Sequence, residues 1–189
     1  MIVGLSGYAQ SGKDTVAQIL VDNYGFTRVA FADKIREFLY EVNPMVGCSP
    51  SGYLKDLVDL KGWDTAKQEP QVRRLLQDLG VGARKIFGDA FWVNQVVGKF
   101  GHDWWGYDKK VVITDVRFIN EANAIKGKGG EVWRITRPNV TAVNAHISET
   151  QLDDYPVDHF VKNDGDVKDL WEEVLMLCHH MGLDDDKFI

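Results

Sequence analysis

"GYAQSGKDT", residues 7–15, carries the G-x-x-x-x-G-K spacing of a phosphate-binding loop, with Asp14 where a Ser or Thr hydroxyl is usual. Its surroundings strengthen the reading. Ile2-Val3-Gly4-Leu5-Ser6 is a short apolar run with the character of a buried strand, and it feeds directly into the loop. From Asp14 onward, Val16, Ile19, Leu20 and Tyr24 recur at helical spacing, and Gly25 supplies a stop. A strand, a glycine loop and a helix N-terminus in that order aim several backbone N–H groups at one anion. Gly7 and Gly12 permit the tight path, Ala9, Ser11 and Thr15 complete the loop, and Lys13 can reach β- and γ-phosphates. The competing reading is a plain strand–helix turn with a solvated lysine, and the full spacing in this context favours the phosphate site.

Asp14 has two readings. As a hard oxygen ligand it can hold magnesium, directly or through water, and the cation then separates it from the phosphates. As a first-turn acid it favours the helix dipole, by about 0.3–1 kcal/mol. A second informative stretch is "VVITDVRFINEANAI", residues 111–125. Asp115 ends an apolar strand, and open α/β sheets place ligands at the C-terminal ends of their strands. Asp115 is therefore a second candidate for magnesium, and Arg117, two positions on, for a transferring or acceptor phosphate. The alternative is a strand-end cap beside a surface cation.

The remaining chain reads as strands alternating with helices. Residues 28–32 (RVAFA) form an expected strand, and Asp33 an expected cap for a helix to about Tyr40. Residues 44–70 resist assignment. A helix is expected over QVRRLLQDLG, residues 71–80, and another over about 90–99, with further strands at 111–114, 131–136 and 158–162 and a last helix after Asn163-Asp164-Gly165. This pattern predicts a single α/β domain over 1–189 with a largely parallel five-stranded sheet flanked by helices. The 189 residues carry 44% hydrophobic and 26% charged side chains and a net charge of −6, which argues against broad nucleic-acid binding. Cys48 and Cys178 stand far apart without C-x-x-C spacing, as expected of reduced cysteines in a cytoplasmic protein. Met1-Ile2-Val3-Gly4 enters a hydrophobic run with no basic leader, so no signal peptide is expected. No apolar run approaches about 18 residues, so no membrane-spanning helix and no membrane partner are expected. Cys178-His179-His180 is a poor metal cluster, because consecutive helical side chains diverge by about 100°.

The GKDT loop, DVRFINEA, HISE at 146–149 and VKNDG together resemble the phage-type deoxynucleoside monophosphate kinases, in order and spacing across nearly the whole chain. The resemblance implies a P-loop kinase fold, ATP as donor, Mg2+, a deoxynucleoside monophosphate (dNMP) as acceptor and a role in DNA-precursor supply. It also allows a homodimer, and places a phage-encoded copy in the host cytoplasm. An acceptor-binding region is then expected at about 33–100 and a lid-like segment at about 137–156. Catalytic roles fall to Lys13, Arg117 and Asp115, magnesium to Asp14 and Asp115, and ATP to the loop with Arg137. The acceptor set is Lys34, Arg73, Arg84, Trp92, Arg117 and Glu121, with Trp92 as a base-stacking candidate. Arg134 is either a lid residue or an outward strand residue. Ser148 with Gln151 has a capping-box pattern, and His146 and Glu149 are weaker lid candidates. Two rivals remain: another small-molecule kinase of this fold, of the phosphomevalonate or dephospho-coenzyme A type, and a regulatory protein that binds ATP without turning it over.

Overall fold

The computed structural model describes residues 1–99, 109–141 and 150–183. Five strands, β1 (Ile2–Ser6), β2 (Thr27–Val29), β3 (Val111–Ile113), β4 (Glu131–Thr136) and β5 (His159–Lys162), form one sheet in the order β2-β3-β1-β4-β5. Every pairing is parallel. β1 lies at the centre, and all five of its residues are buried, as a strand covered on both faces requires.

Helices α1 (Lys13–Tyr24), α2 (Phe31–Val42), α3 (Leu54–Ala66), α4 (Pro70–Phe87), α5 (Phe91–Val96), α6 (Ile119–Gly127) and α7 (Val167–His180) complete the described elements, with a 3-10 turn at Val97–Lys99. Val3 and Leu5 point to the face where Val16, Leu20 and Tyr24 of α1 pack with Leu170, Val174 and Cys178 of α7. Gly4 points the opposite way, and an added Cβ there would meet the Ile125 side chain of α6 at 2.6 Å. Helices therefore cover both faces of the sheet.

Two compact units make up the chain, Met1–Ala30 with Val96–Ile189, and Phe31–Gln95. The first holds the sheet. The second is helical, with a core of Leu39, Val46, Leu54, Leu57, Ala66 and Val72. Within it α2 and α4 approach closely, since a Cβ at Gly80 would lie 3.3 Å from Ile35 Cδ1.

Several boundaries differ from the sequence expectation. The second strand ends at Val29, whose carbonyl accepts Thr114 N–H at 3.0 Å, and α2 has begun by Phe31. Asp33 is thus a first-turn residue paired with Arg36 at 3.2 Å rather than a cap. Residues 44–70, unassigned from sequence, contain α3, which bends at Gly62 where φ is 73° and ψ 163°. The expected 71–80 helix continues through Gly80 and Gly82 to Phe87.

Candidate active site

The phosphate-binding loop is held from both sides. Gly7 has φ 133°, and a Cβ there would lie 2.4 Å from the Ile135 carbonyl oxygen of β4. Gln10 also takes a positive φ, 65°. Gly12 occupies the N-cap of α1 at φ 108°, so no side chain closes the helix end and its first amides point out into the loop. Asn163, just past β5, donates from Nδ2 to the Ser11 carbonyl at 2.9 Å, while its own N–H reaches the Thr136 carbonyl at 2.8 Å. Lys13 Nζ turns back across the loop and donates to the Gly7 and Tyr8 carbonyls, each at 2.7 Å. The Ser11 hydroxyl is buried and has no hydrogen-bond partner among the described residues. Ala9 and Thr15 are half-buried, and Asp14 is exposed in the first turn of α1. One guanidinium of the expected ATP set sits at this loop: Arg137 Nη1 donates to the Gln10 carbonyl at 3.4 Å.

Asp115 is set beside the loop's parent strand by its neighbours. Thr114 N–H bonds the end of β2, and Val116 N–H bonds the Leu5 carbonyl of β1 at 3.1 Å. Two residues on, Arg117 is exposed. Its backbone is fixed by Glu121, whose Oε2 accepts Arg117 N–H at 2.8 Å and Phe118 N–H at 3.1 Å. Glu121 is only 2% exposed, and these amides at the N-terminus of α6 hold its carboxylate. The structure gives Glu121 a bracing place behind Arg117, in contrast to the acceptor contact expected from sequence.

The helical unit carries the other expected acceptor residues. Lys34 lies in the first turn of α2 and pairs with Glu37 at 2.6 Å. On α4, Arg84 is half-buried one turn beyond Gly80, Arg73 is exposed, and Arg74 pairs with Asp78 at 3.4 Å. Trp92 departs from expectation. Its ring is 2% exposed, its Nε1 donates to the Gly80 carbonyl at 3.0 Å, and Phe91 packs edge-on at 4.8 Å. A ring so enclosed offers no open face to a base, and the indole instead locks α5 to α4.

Sequence reasoning missed the groups that hold the loop. Asn163 was legible as part of a turn and of the VKNDG motif, but not as a support of the loop. Tyr8 Oη donates to Asp153 Oδ2 at 3.0 Å, and Asp153 also pairs with Arg134, which resolves Arg134 as a bonded strand residue with 12% of its side chain exposed. Burial first, and then the Asp153 hydrogen bond, raise the Tyr8 phenol above its ordinary value. His146, Ser148 and Glu149, with residues 142–149 of the lid-like segment, and the Trp104-Trp105 pair lie outside the described residues. Among the described residues no three His, Cys, Asp or Glu side chains converge as a metal cage, and no helix is long and apolar enough to cross a membrane.

The family model for deoxynucleotide monophosphate kinase matches residues 60–174. A protein of Acanthamoeba polyphaga mimivirus described under that family name is 30% identical over 168 residues, covering 80% of this chain and 82% of the relative. The chain belongs to the deoxynucleotide monophosphate kinase family. The deoxynucleotide monophosphate kinase of Escherichia phage RB69 is 28% identical over 105 residues, 54% of this chain and 43% of the phage protein. The dephospho-CoA kinase of Campylobacter jejuni shares the fold, with a TM-score of 0.52 over 95% of this chain and 96% of its own, at 13% identity. The match to the family model takes in Arg73, Arg84, Trp92, Asp115, Arg117, Glu121 and Arg137 of this family member.

Proposed function

We propose that this family member transfers the γ-phosphate of ATP to a deoxynucleoside 5'-monophosphate, giving the diphosphate for DNA synthesis. The observation that carries the reading is the glycine loop on β1 with Asp115 and Arg117 following the neighbouring strand β3. Phosphoryl transfer needs positioning and charge neutralisation more than covalent chemistry from the protein. The loop amides and Lys13 take the donor phosphates, with Lys13 Nζ exchanging its two carbonyl partners for phosphate oxygens. The unpartnered Ser11 hydroxyl suits a polar ligand in that same cradle.

Asp14 and Asp115 fit a magnesium ion of the kind that takes one or two carboxylates and completes its shell with water and phosphate oxygens. When bound there, magnesium would neutralise donor phosphate charge. Arg117 clamps the transferring group with two N–H donors, a geometry that lysine lacks. Glu121 holds the backbone that presents it. Arg137 approaches the donor side, while Lys34, Arg84 and Arg73 supply cations for the acceptor phosphate. The acceptor phosphate is already an anionic nucleophile, so no catalytic base is required.

The reaction runs on free nucleotides in the cytoplasm, in the host's if the gene is a phage's. A coupled ADP-release assay over dNMPs, rNMPs and other phosphorylated acceptors, with and without magnesium, tests the reading. Magnesium-dependent turnover of at least one dNMP is expected. ATP binding without turnover of any acceptor would move the protein to a regulatory role, and preference for dephospho-coenzyme A would move it to another kinase class.

A further inference from the structure

The segment that follows residues 142–149 returns to the phosphate-binding loop through one carboxylate. Leu152 is 5% exposed and plugs this segment into the body of the sheet unit. Its carbonyl accepts Arg134 Nη1 at 2.6 Å, and the other terminal nitrogen of Arg134 pairs with Asp153. Asp153 Oδ2 in turn accepts the Tyr8 hydroxyl at 3.0 Å, and the Arg134 guanidinium carbon lies 5.6 Å from the centre of the Tyr8 ring. A third tether runs from Ile119 N–H, two residues past Arg117, to Gln151 Oε1 at 3.2 Å.

Tyr8 links two other residues of the loop. Its carbonyl accepts both Lys13 Nζ at 2.7 Å and Ser11 N–H at 3.2 Å. Fixing the Tyr8 side chain therefore fixes an acceptor that two loop residues share. Tyr8 and Asp153 stand 145 positions apart in the chain, so the contact is made by the fold and by no local turn.

We propose that Asp153 is a positioning residue for the donor-binding loop, acting through the Tyr8 hydroxyl with its own orientation set by Arg134. Asp153 does not touch the donor; it holds Tyr8, whose carbonyl fixes the loop path at Ser11 N–H and gives up Lys13 to the donor phosphates. The proposal rests on the reading of this loop as the ATP site. It predicts that loss of the Tyr8–Asp153 bond weakens ATP more than the acceptor, because that bond reaches the donor loop through Tyr8.

The test compares wild type, Tyr8→Phe, Asp153→Ala, Asp153→Asn and the Tyr8→Phe/Asp153→Ala pair. ATP affinity is read by calorimetry with magnesium present, KM is read for ATP and dNMP separately, and melting temperature is recorded alongside. Tyr8→Phe, which leaves the Asp153–Arg134 pair intact, should raise the ATP Kd and KM about fivefold, the worth of one hydrogen bond. Its dNMP KM and melting temperature should stay near wild type. Asp153→Ala should lose at least as much ATP affinity, and adding Tyr8→Phe to it should cost little more, because the hydrogen bond is already gone. Asp153→Asn keeps an acceptor oxygen for the phenol and should recover part of the loss. Wild-type ATP affinity in both Tyr8→Phe and Asp153→Ala would overturn the proposal alone. So would equal losses for both substrates tracking a fall in melting temperature. Wild-type protein with no affinity for ATP would overturn the loop reading and this proposal with it.

Discussion

Gly7→Ala places a methyl group where the sheet cannot give way. The added Cβ would sit 2.4 Å from the Ile135 carbonyl oxygen, a backbone atom in β4, which is paired with β1 on one side and β5 on the other. The backbone at Gly7, with φ 133°, is also one that side-chain-bearing residues rarely adopt. Holding a non-glycine residue in such a conformation costs about 1–3 kcal/mol. The loop, not the strand, will move to relieve it, carrying the Gly7 carbonyl away from Lys13. If the donor requires the original path, that energy is taken from ATP binding, which should weaken by about 5- to 150-fold. Titration calorimetry with ATP and magnesium measures this directly, and thermal melts separate it from global loss of structure. Gly82→Ala is the control, since its Cβ would meet nothing within 4 Å in the interior of α4. Wild-type ATP affinity in a folded Gly7→Ala protein would refute the assignment of this loop to the donor phosphates.

Lys13→Ala should leave the fold intact and reduce turnover by on the order of 10²–10³, as loss of one transition-state donor does, checked by steady-state kinetics beside circular dichroism. Asp14→Ala should raise the magnesium concentration needed for activity, and Asp14→Ser should recover part of it; a first-turn role alone would lower the melting temperature without moving the magnesium titration. Asp158 is pulled up by burial, but the Val132 N–H and Lys126 outweigh this and leave its pKa below the ordinary 3.8. With a depressed folded value, its contribution is present above 3.8 and lost as pH falls through the folded pKa, so melts of wild type and Asp158→Asn should converge in that acid range. Burial pushes the Cys178 thiol up to about 12, so iodoacetamide at pH 8 should leave Cys178 unmodified in the native protein and alkylate it after denaturation.

The parts of the fold legible in the sequence are those where one local pattern gives way to another. Ile2–Ser6 is a continuous apolar run, the glycine loop interrupts it, and helical spacing follows at once. The same holds for β3, whose apolar run ends at Asp115. The helical unit was harder to read because its signals are local compromises. α3 mixes Lys and Asp with its leucines and bends at Gly62, so no single period runs through it. In the sheet unit, α6 was missed for another reason: it is nine residues long and opens on the braced Arg117–Phe118 turn, which no residue type announces. Trp92 shows the limit most clearly. A tryptophan near an acceptor region reads equally as a stacking platform or as core, and only its contact with the Gly80 carbonyl decides. Asn163 and Asp153 were invisible as loop supports because their partners lie 152 and 145 positions away.

The disposition of carboxylates in the β3–α6 turn bears on what the acceptor can be. A hydroxyl acceptor needs a carboxylate free to accept its proton, whereas a monophosphate arrives ionised and needs cations. Glu121 is the acid nearest in sequence to Arg117 on its helix side, and it is spent on structure: one oxygen takes two backbone N–H groups, and the side chain is buried. Protonating it during a catalytic cycle would weaken both bonds and loosen the turn that presents Arg117. On the proposed reading Asp115, where the end of β3 meets β1, would hold a cation between itself and the donor phosphates, and a metal-bound carboxylate is a poor base. Arg117, by contrast, is exposed on a fixed backbone. The turn thus presents a cation and withholds its acids, the arrangement that suits an acceptor already carrying its own negative oxygen.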